Sequence, residues 1–219
     1  MTYLDLQKLV QRQSGNKNAD ALLGIKDYLN LGQKDMAGSL DNWRELQTTG
    51  TLSLVDGTEA YALASNFSKF RSDAILITSP TNDEKVIWRV GSVGFRNRNP
   101  VTSNDSEGTP NEWFEDPNDD TKVRFSPIPG SSFTASYDYL ALPTDMSADS
   151  DTPFLPARWH HILVDYALAM HFENPYQRNY EVSNRYWTRY ANGKDQCIAD
   201  YNQRFIGQVQ FDYSTGVNE

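Results

Sequence analysis

Cysteine is nearly absent from the 219-residue chain, which contains Cys197 and no other thiol. A single cysteine forms no disulfide within its own chain, and this scarcity is typical of proteins made in a reducing compartment. The first residues carry no basic and apolar signal segment, and no apolar run approaches the roughly 18 residues that a membrane-spanning helix requires. The sequence therefore predicts a protein that is made in the cytoplasm and does not engage a membrane.

Clusters of basic residues are also lacking, although the chain has 20 basic and 29 acidic residues and a formal net charge of −9. The acidic excess lies in residues 101–151, which hold 11 acidic and 2 basic side chains. Because proteins that grip DNA phosphates need clustered cations, tight binding of nucleic acid is not expected. An acidic surface beside DNA would instead let the DNA slide past unheld, but the same composition also fits a solvated, solubilising loop region.

Motifs that carry chemistry are missing as well, since there is no nucleotide-binding loop, no nucleophile elbow and no pair of zinc-binding cysteines. The adjacent His160 and His161 project about 100° apart on a predicted helix, and His171 lies too far along the chain to complete a two-histidine metal site. Cys197 has no histidine three or four residues away to act as its base. We therefore expect no catalytic residue, no cofactor and no metal, and we interpret Cys197 as a buried structural thiol.

Two acidic turns lack the spacing of an EF-hand calcium loop, and turn formation and helix capping account for them. Their carboxylates are Asp116, Asp119 and Asp120 in the first turn and Asp145, Asp149 and Asp151 in the second. The sequence does not exclude a pair of carboxylates that act in glycoside hydrolysis. The aromatic residues in the middle of the chain leave carbohydrate binding as an alternative function. Its candidate contacts are Trp88 and Trp113.

The N-terminal part of the chain is patterned as helix. Residues 3–13 predict a short helix, and a longer apolar stripe predicts a second helix over about residues 19–47. The stripe consists of Leu22, Ile25, Leu29, Gly32, Met36, Leu40 and Trp43. Because Gly32 has no side chain, we expect it to allow the close approach of a neighbouring element.

From residue 50 the pattern changes to short alternating runs rich in β-branched and aromatic residues, which predict strands. The predicted strands lie near residues 51–55, 61–63, 74–78, 86–90, 112–115, 122–125 and 133–139, with residues 94–110 as a long loop. After the strands, Pro153 and Pro156 precede a predicted helix over residues 156–173. A last long helix follows Pro175 and ends at Gly207.

The pattern as a whole predicts an α+β fold in which long antiparallel helices form a helical core and a small antiparallel β domain is inserted. The segments, in chain order, are N-terminal helices over 1–49, the β domain over 50–144, C-terminal helices over 145–207 and an extended tail over 208–219.

Aromatic residues dominate one face of the last helix, and this composition is more typical of an assembly surface than of a dry core. We predict that an interface between subunits contains Tyr180, Trp187, Tyr190, Tyr201 and Phe205. Val209, Phe211 and Tyr213 alternate with polar residues in the tail, which predicts a free strand that could add to the edge of a partner's sheet.

Three segments of the chain resemble the head-to-tail adaptor proteins, also called connector or head-completion proteins, of short-tailed double-stranded DNA phages. They are Met1–Leu9, Ala19–Trp43 and above all Asp149–Ala167, in which a double-proline turn leads into a Trp-His-His helix. The resemblance implies a dodecameric ring beneath the portal protein that extends the DNA channel and provides the attachment platform for tail, nozzle and tail-fibre proteins. Encapsidated DNA would pass through the lumen without specific binding.

The same resemblance implies a structural protein of the virion neck and not an enzyme, with Val209, Phe211 and Tyr213 as a hypothetical portal-docking strand. The acidic residues 101–151 would face either the lumen or the tail-facing rim. The alternatives are a carbohydrate- or receptor-binding module of a phage tail and, as a third reading, a particle-borne cell-wall hydrolase.

Overall fold

The computed structural model describes residues 1–15, 19–91, 107–174 and 178–209, with side chains described except at 19–22 and 205–209. The chain divides into two units. A helical unit comprises Met1–Asp41 and Pro143–Glu219, and a β unit comprises Asn42–Leu142.

The helical unit has four α-helices among its described residues: α1 (Tyr3–Ser14), α2 (Ala19–Gly38), α3 (His160–Glu173) and α4 (Tyr180–Val209). Thr2 and Asp5 form a capping box at the start of α1, and Gly15 ends it with a left-handed φ of 70°. Helix α3 packs against each of the other three helices. Its apolar residues surround the helix instead of forming one stripe, which is the pattern of a helix buried on all sides.

Two glycines allow the helices of this unit to approach closely. A Cβ atom at Gly32 of α2 would lie 3.0 Å from the ring of Tyr166 on α3, and one at Gly193 of α4 would lie 3.1 Å from Ile162. The role predicted for Gly32 is therefore confirmed, since a larger side chain would have to displace an aromatic ring.

The β unit is built around a seven-stranded sheet with the strand order β1-β9-β3-β4-β6-β7-β2. Its strands are β1 (Gln47–Leu54), β2 (Ala60–Ala62), β3 (Phe67–Thr78), β4 (Glu84–Arg89), β6 (Glu112–Glu115), β7 (Lys122–Ser126) and β9 (Phe133–Ala141). All neighbours are antiparallel except β4 and β6, which are parallel. The end strands β1 and β2 contact each other, so the sheet is nearly closed. Two short strands, β5 (Glu107–Gly108) and β8 (Ile128–Pro129), form a separate parallel pair.

The core of the β unit lies on the inner face of this sheet and is rich in aromatic residues. Its members include Tyr61, Ile75, Ile77, Ile87, Trp113, Val123, Phe125 and Tyr137. The ring of Tyr137 covers Gly50, the residue opposite it on β1, and its hydroxyl accepts a hydrogen bond of 3.0 Å from the Ala64 N–H. An aromatic ring over a strand glycine restores the packing that the glycine itself cannot provide.

The predicted fold class, a helical core of long antiparallel helices with a small inserted antiparallel β domain, is wrong. The protein is mixed α+β, with a nearly closed seven-stranded sheet that contains a parallel pair and is not a minor insertion. The sequence predicts only residues 74–78 of β3, because the first half of this strand is polar. Residues 68–73 contain five polar or charged side chains besides Phe70, and a bulge between Phe70 and Ile75 interrupts their alternation.

The helix boundaries differ for local reasons. Helix α2 ends at Gly38, since the N–H and hydroxyl of Ser39 both bond the Met36 carbonyl, although the apolar spacing continues to residue 43. A 3₁₀ turn at Ala157–Trp159 precedes α3, which begins at His160. Helix α4 continues through Gly207 to Val209, because a glycine near a helix end costs only about 1 kcal/mol.

Candidate functional site

The three histidines lie in separate surroundings. His160 is buried, with Nε2 2.8 Å from the Leu155 carbonyl, and burial lowers its pKa. His171 is also buried, which lowers its pKa, whereas His161 is exposed beside Trp159. Among the described residues, no group of three or more histidine, cysteine or acidic side chains is placed to hold a metal ion. Cys197 is buried, as predicted.

The acidic turns use their carboxylates in local hydrogen bonds. Asp116 accepts bonds from the Asn118 N–H at 3.0 Å and from Arg124 Nε at 2.9 Å, and the Asn118 bond is the main factor that lowers its pKa. Hydrogen bonds from Thr121 lower the pKa of Asp119 to about 2. Asp151 accepts from two backbone N–H groups of the second turn at 2.8 Å. The predicted explanation by turn formation is confirmed for these three residues.

The aromatic face of α4 is largely occupied within one chain. The hydroxyl of the buried Tyr190 donates to Asp35 on α2, and Lys194 Nζ lies 2.7 Å from the same carboxylate oxygen. Trp187 is half-buried, and its ring centroid is 5.3 Å from that of Tyr166 on α3 in an edge-to-face contact. These contacts join α4 to α2 and α3.

The other predicted interface and docking residues differ in exposure. Tyr201 is buried, whereas Tyr180, at the start of α4, is 57% exposed. The side chains of Phe205 and Val209 lie outside the described part of the chain, although Val209 is the last residue of α4. Phe211 and Tyr213 are outside the described residues altogether. The assignment of these residues to an interface and to portal docking stays a prediction.

An exposed apolar patch lies on the outer face of the sheet, and we call Val86 and Trp88 of β4 with Ala74 and Leu76 of β3 the β4 patch. Trp88 is 62% exposed and Val86 50%, and they pair across the strands with the half-buried Ala74 and Leu76. The intervening Ile87 is fully buried. The alternation of β4 could have revealed this patch from sequence, but it does not indicate which face is covered.

Trp113 is not available to a ligand. It is fully buried, its Nε1 donates a hydrogen bond of 3.0 Å to the Asp73 carbonyl, and its ring contacts Phe70 with centroids 4.6 Å apart. Of the two tryptophans considered as carbohydrate contacts, Trp88 alone is exposed.

A second exposed surface lies on α2, and we call Leu23, Asp27 and Leu31 the α2 ridge. Their spacing of four residues places them on one side of the helix. Leu23 is 63% exposed and Leu31 45%, and Asp27 is exposed between them. Neither leucine belongs to the predicted stripe, whose members Ile25, Leu29 and Met36 are buried.

Comparison with protein families matches residues 1–212 to the SU10 adaptor protein family. The chain belongs to this family. The resemblance to phage head-to-tail adaptors is thereby confirmed, and membership of this adaptor family identifies the chain as a phage adaptor protein. No curated protein matches the chain significantly. In the part of this adaptor that the structure describes, no helix is long and apolar enough to cross a membrane.

Proposed function

We propose that this adaptor joins the head of a tailed phage to its tail, as a virion structural protein of the neck that forms a ring beneath the portal. The observation that carries the proposal is the family match over residues 1–212. The ring would extend the DNA channel and offer a platform to tail, nozzle and tail-fibre proteins. Twelve copies are the number that the resemblance to short-tailed phage adaptors implies.

The exposed surfaces support an assembling protein. Large apolar side chains left open on a folded chain mark sites of protein contact when they are adjacent, as Val86 and Trp88 are. A ring made of identical subunits needs two different faces that meet head to tail. The β4 patch and the α2 ridge differ in shape and chemistry, so they meet this requirement.

The distribution of charge supports a channel that does not hold DNA. The β unit exposes acidic side chains that form no ion pair among the described residues, such as Asp56, Glu84 and Asp120. Carboxylates repel phosphates, so DNA that passes such a surface is not retained. Whether these acids face the lumen or the tail is left open by this proposal.

We further propose that residues 208–219 dock on the portal by adding a strand to the edge of a portal sheet. The support is the alternation of Val209, Phe211 and Tyr213 with polar residues. A strand that adds to a sheet gains affinity from main-chain hydrogen bonds and specificity from alternate side chains. Because folding coupled to binding delays assembly until a template is present, we expect the purified chain to be a monomer until a portal is added.

Electron microscopy of the purified chain mixed with its portal tests the function directly. We expect a ring of added density beneath the portal, and a portal that binds no chain would contradict the proposal. Light scattering of the chain alone is expected to show a monomer.

Paired variants of the tail test the docking segment. We expect Phe211→Ser with Tyr213→Ser to abolish portal binding, as deletion of residues 208–219 would. The matched control is Asp212→Asn with Ser214→Ala, which changes the other side of the same segment and should bind normally. Equal binding by all of these variants would rule out docking through the tail.

A further inference from the structure

The β4 patch differs from the rest of the outer face of the sheet. On the neighbouring strands, the cross-strand pairs of the same face are polar: Thr49 with Asp138, Thr51 with Ser136 and Ser53 with Thr134. The apolar pairs on this face are Ala74 with Trp88 and Leu76 with Val86. A sheet face that faces only water has no need of an exposed tryptophan, and tryptophan is enriched in the residues that dominate binding energy.

An arginine without an ion pair lies on the same strand as half of the patch. Arg71 belongs to the bulge between Phe70 and Ile75 of β3, three residues before Ala74. Its side chain is exposed and forms no ion pair among the described residues, whereas Asp73 of the same bulge lies 3.6 Å from Arg89. Bulges re-aim side chains away from the regular pleat, so this one supplies an exposed cation on the strand that carries Ala74 and Leu76.

The α2 ridge has the complementary composition. Asp27 is exposed, forms no ion pair among the described residues and lies between Leu23 and Leu31. The two leucines are about 12 Å apart along the helix axis at 1.5 Å per residue. An apolar helix ridge with one central carboxylate therefore fits an apolar sheet face with one adjacent guanidinium in both hydrophobic character and charge.

We propose that the β4 patch of one copy binds the α2 ridge of a neighbouring copy, with Arg71 paired to Asp27. The inference deepens the proposed ring and rests on it. The contact is heterologous, because each copy contributes the patch to one neighbour and the ridge to the other, and such contacts form a ring when the rotation between neighbours closes. Leu23 and Leu31 cover Val86 and Trp88, and the ion pair fixes the register.

Charge reversal on the portal-bound chain tests this contact. Asp27→Arg and Arg71→Asp should each lower the fraction of portals that carry a complete ring by about tenfold or more, since each places like charges together. The double variant with both changes restores the ion pair in swapped order. Its fraction of portals with a complete ring should recover to within about threefold of that of the unmodified chain. Asp120→Arg is the matched control, because it reverses an exposed acidic residue without an ion pair elsewhere in the β unit.

The singly reversed chains should keep the thermal unfolding midpoint of the unmodified chain, because both side chains are exposed. Rings that form equally well with either reversal would overturn the inference, as would a double variant that is no better than the singles. A loss of ring formation with Asp120→Arg equal to that with Asp27→Arg would also overturn it.

Disulfide trapping separates this inference from the proposed function. A mixture of Leu31→Cys and Val86→Cys chains with the portal added should cross-link, whereas neither variant should do so alone, because the contact joins two different faces. The native Cys197 is buried and does not compete. Rings on the portal without cross-linking in the mixture would refute the contact alone. Cross-linking without portal binding would support the contact and refute the proposed function.

Discussion

The aromatic face of α4 and the outer face of β4 both carry side chains that are typical of protein interfaces, but their surroundings differ. On α4, Tyr190 and Trp187 contact α2 and α3 of the same chain. On β4, Trp88 and Val86 have at least half of their surface open. The hydroxyl of Tyr190 thus has a carboxylate partner within the chain, whereas the assignment of the α4 face to a subunit interface stays a prediction.

This difference bears on which surface remains for partners. Side chains that are already buried contribute their hydrophobic free energy to the folding of the single chain, and only those left exposed can contribute it to assembly. Substitutions on α4 should therefore change the free energy of unfolding of the isolated chain, whereas substitutions in the β4 patch should leave it unchanged and act on assembly.

Trp113 and Trp88 of the β unit should show this contrast most strongly. Trp113→Ala removes a fully buried ring and its hydrogen bond to Asp73, and should lower the free energy of unfolding by about 3–5 kcal/mol. Trp88→Ala removes an exposed ring and should change it by about 0.5 kcal/mol or less. Urea denaturation of the isolated chain measures both values, and a large loss for Trp88→Ala would show that this residue is part of the core.

A glycine pair on α2 tests the packing of the helical unit. Gly32→Ala should destabilise the chain by about 1–3 kcal/mol, because the added methyl group would lie 3.0 Å from the ring of Tyr166. Gly38→Ala is the control on the same helix, since nothing lies within 4 Å of its added Cβ, and it should be neutral or stabilising by up to about 1 kcal/mol. Thermal unfolding of the two variants gives the difference, and equal midpoints would contradict the close contact of α2 with α3.

Local patterns were sufficient for many elements of this fold. The alternation at residues 133–139 predicted β9, and the period of residues 3–13 predicted α1, because each element exposes one face to solvent and buries the other. Local patterns failed where the decisive contact is distant. The parallel pairing of β4 with β6 and the polar first half of β3 depend on tertiary contacts that no short window contains.

The same limit applies to the candidate site. The aromatic stripe on α4 was visible in the sequence, but the partner of Tyr190 is 155 residues away, so the period could not distinguish an intrachain contact from a subunit interface. The sequence pattern does not predict the α2 ridge, because Leu23 and Leu31 lie off the apolar stripe that defines the buried face of the helix. Exposure in the folded chain was the information that sequence lacked.

Tyr190 provides a smaller test of whether the α4 face belongs to the single chain. Tyr190→Phe keeps the ring and removes the hydrogen bond to Asp35, and should cost about 1–2 kcal/mol, at the low end for bonds to a charged group because Asp35 is partly exposed. Tyr180→Phe is the matched control, since Tyr180 is exposed on the same helix and should show no change. Urea denaturation of the monomer is the measurement, and an unchanged stability for Tyr190→Phe would show that the bond to Asp35 does not stabilise the single chain.

The smallest expected effect is the pH dependence of the difference in unfolding free energy between the unmodified chain and Tyr190→Phe. Burial alone would raise the pKa of Asp35, but hydrogen bonds from Lys194 and Tyr190 outweigh it and hold the pKa below the ordinary 3.8. A carboxyl with a lowered pKa stabilises the folded chain above its unfolded value, and this contribution is lost as the pH falls through the folded value. Burial and the bond to Asp35 raise the pKa of Tyr190 above the ordinary 10.0. The contribution of Tyr190 to the free energy of unfolding therefore persists in full up to about pH 10.

The difference in unfolding free energy between the unmodified chain and Tyr190→Phe should therefore be constant between about pH 4 and pH 10 and shrink in more acidic solution. Subtraction of the two curves of unfolding free energy against pH cancels the contributions of the other carboxylates, such as Asp116 and Asp119, because both proteins contain them. Denaturation at pH 7 and at a series of pH values below 3.8 is the measurement. A difference that does not shrink at any of these values would mean that Tyr190 stabilises α4 through its ring alone, and that the link to α2 does not depend on the charge of Asp35.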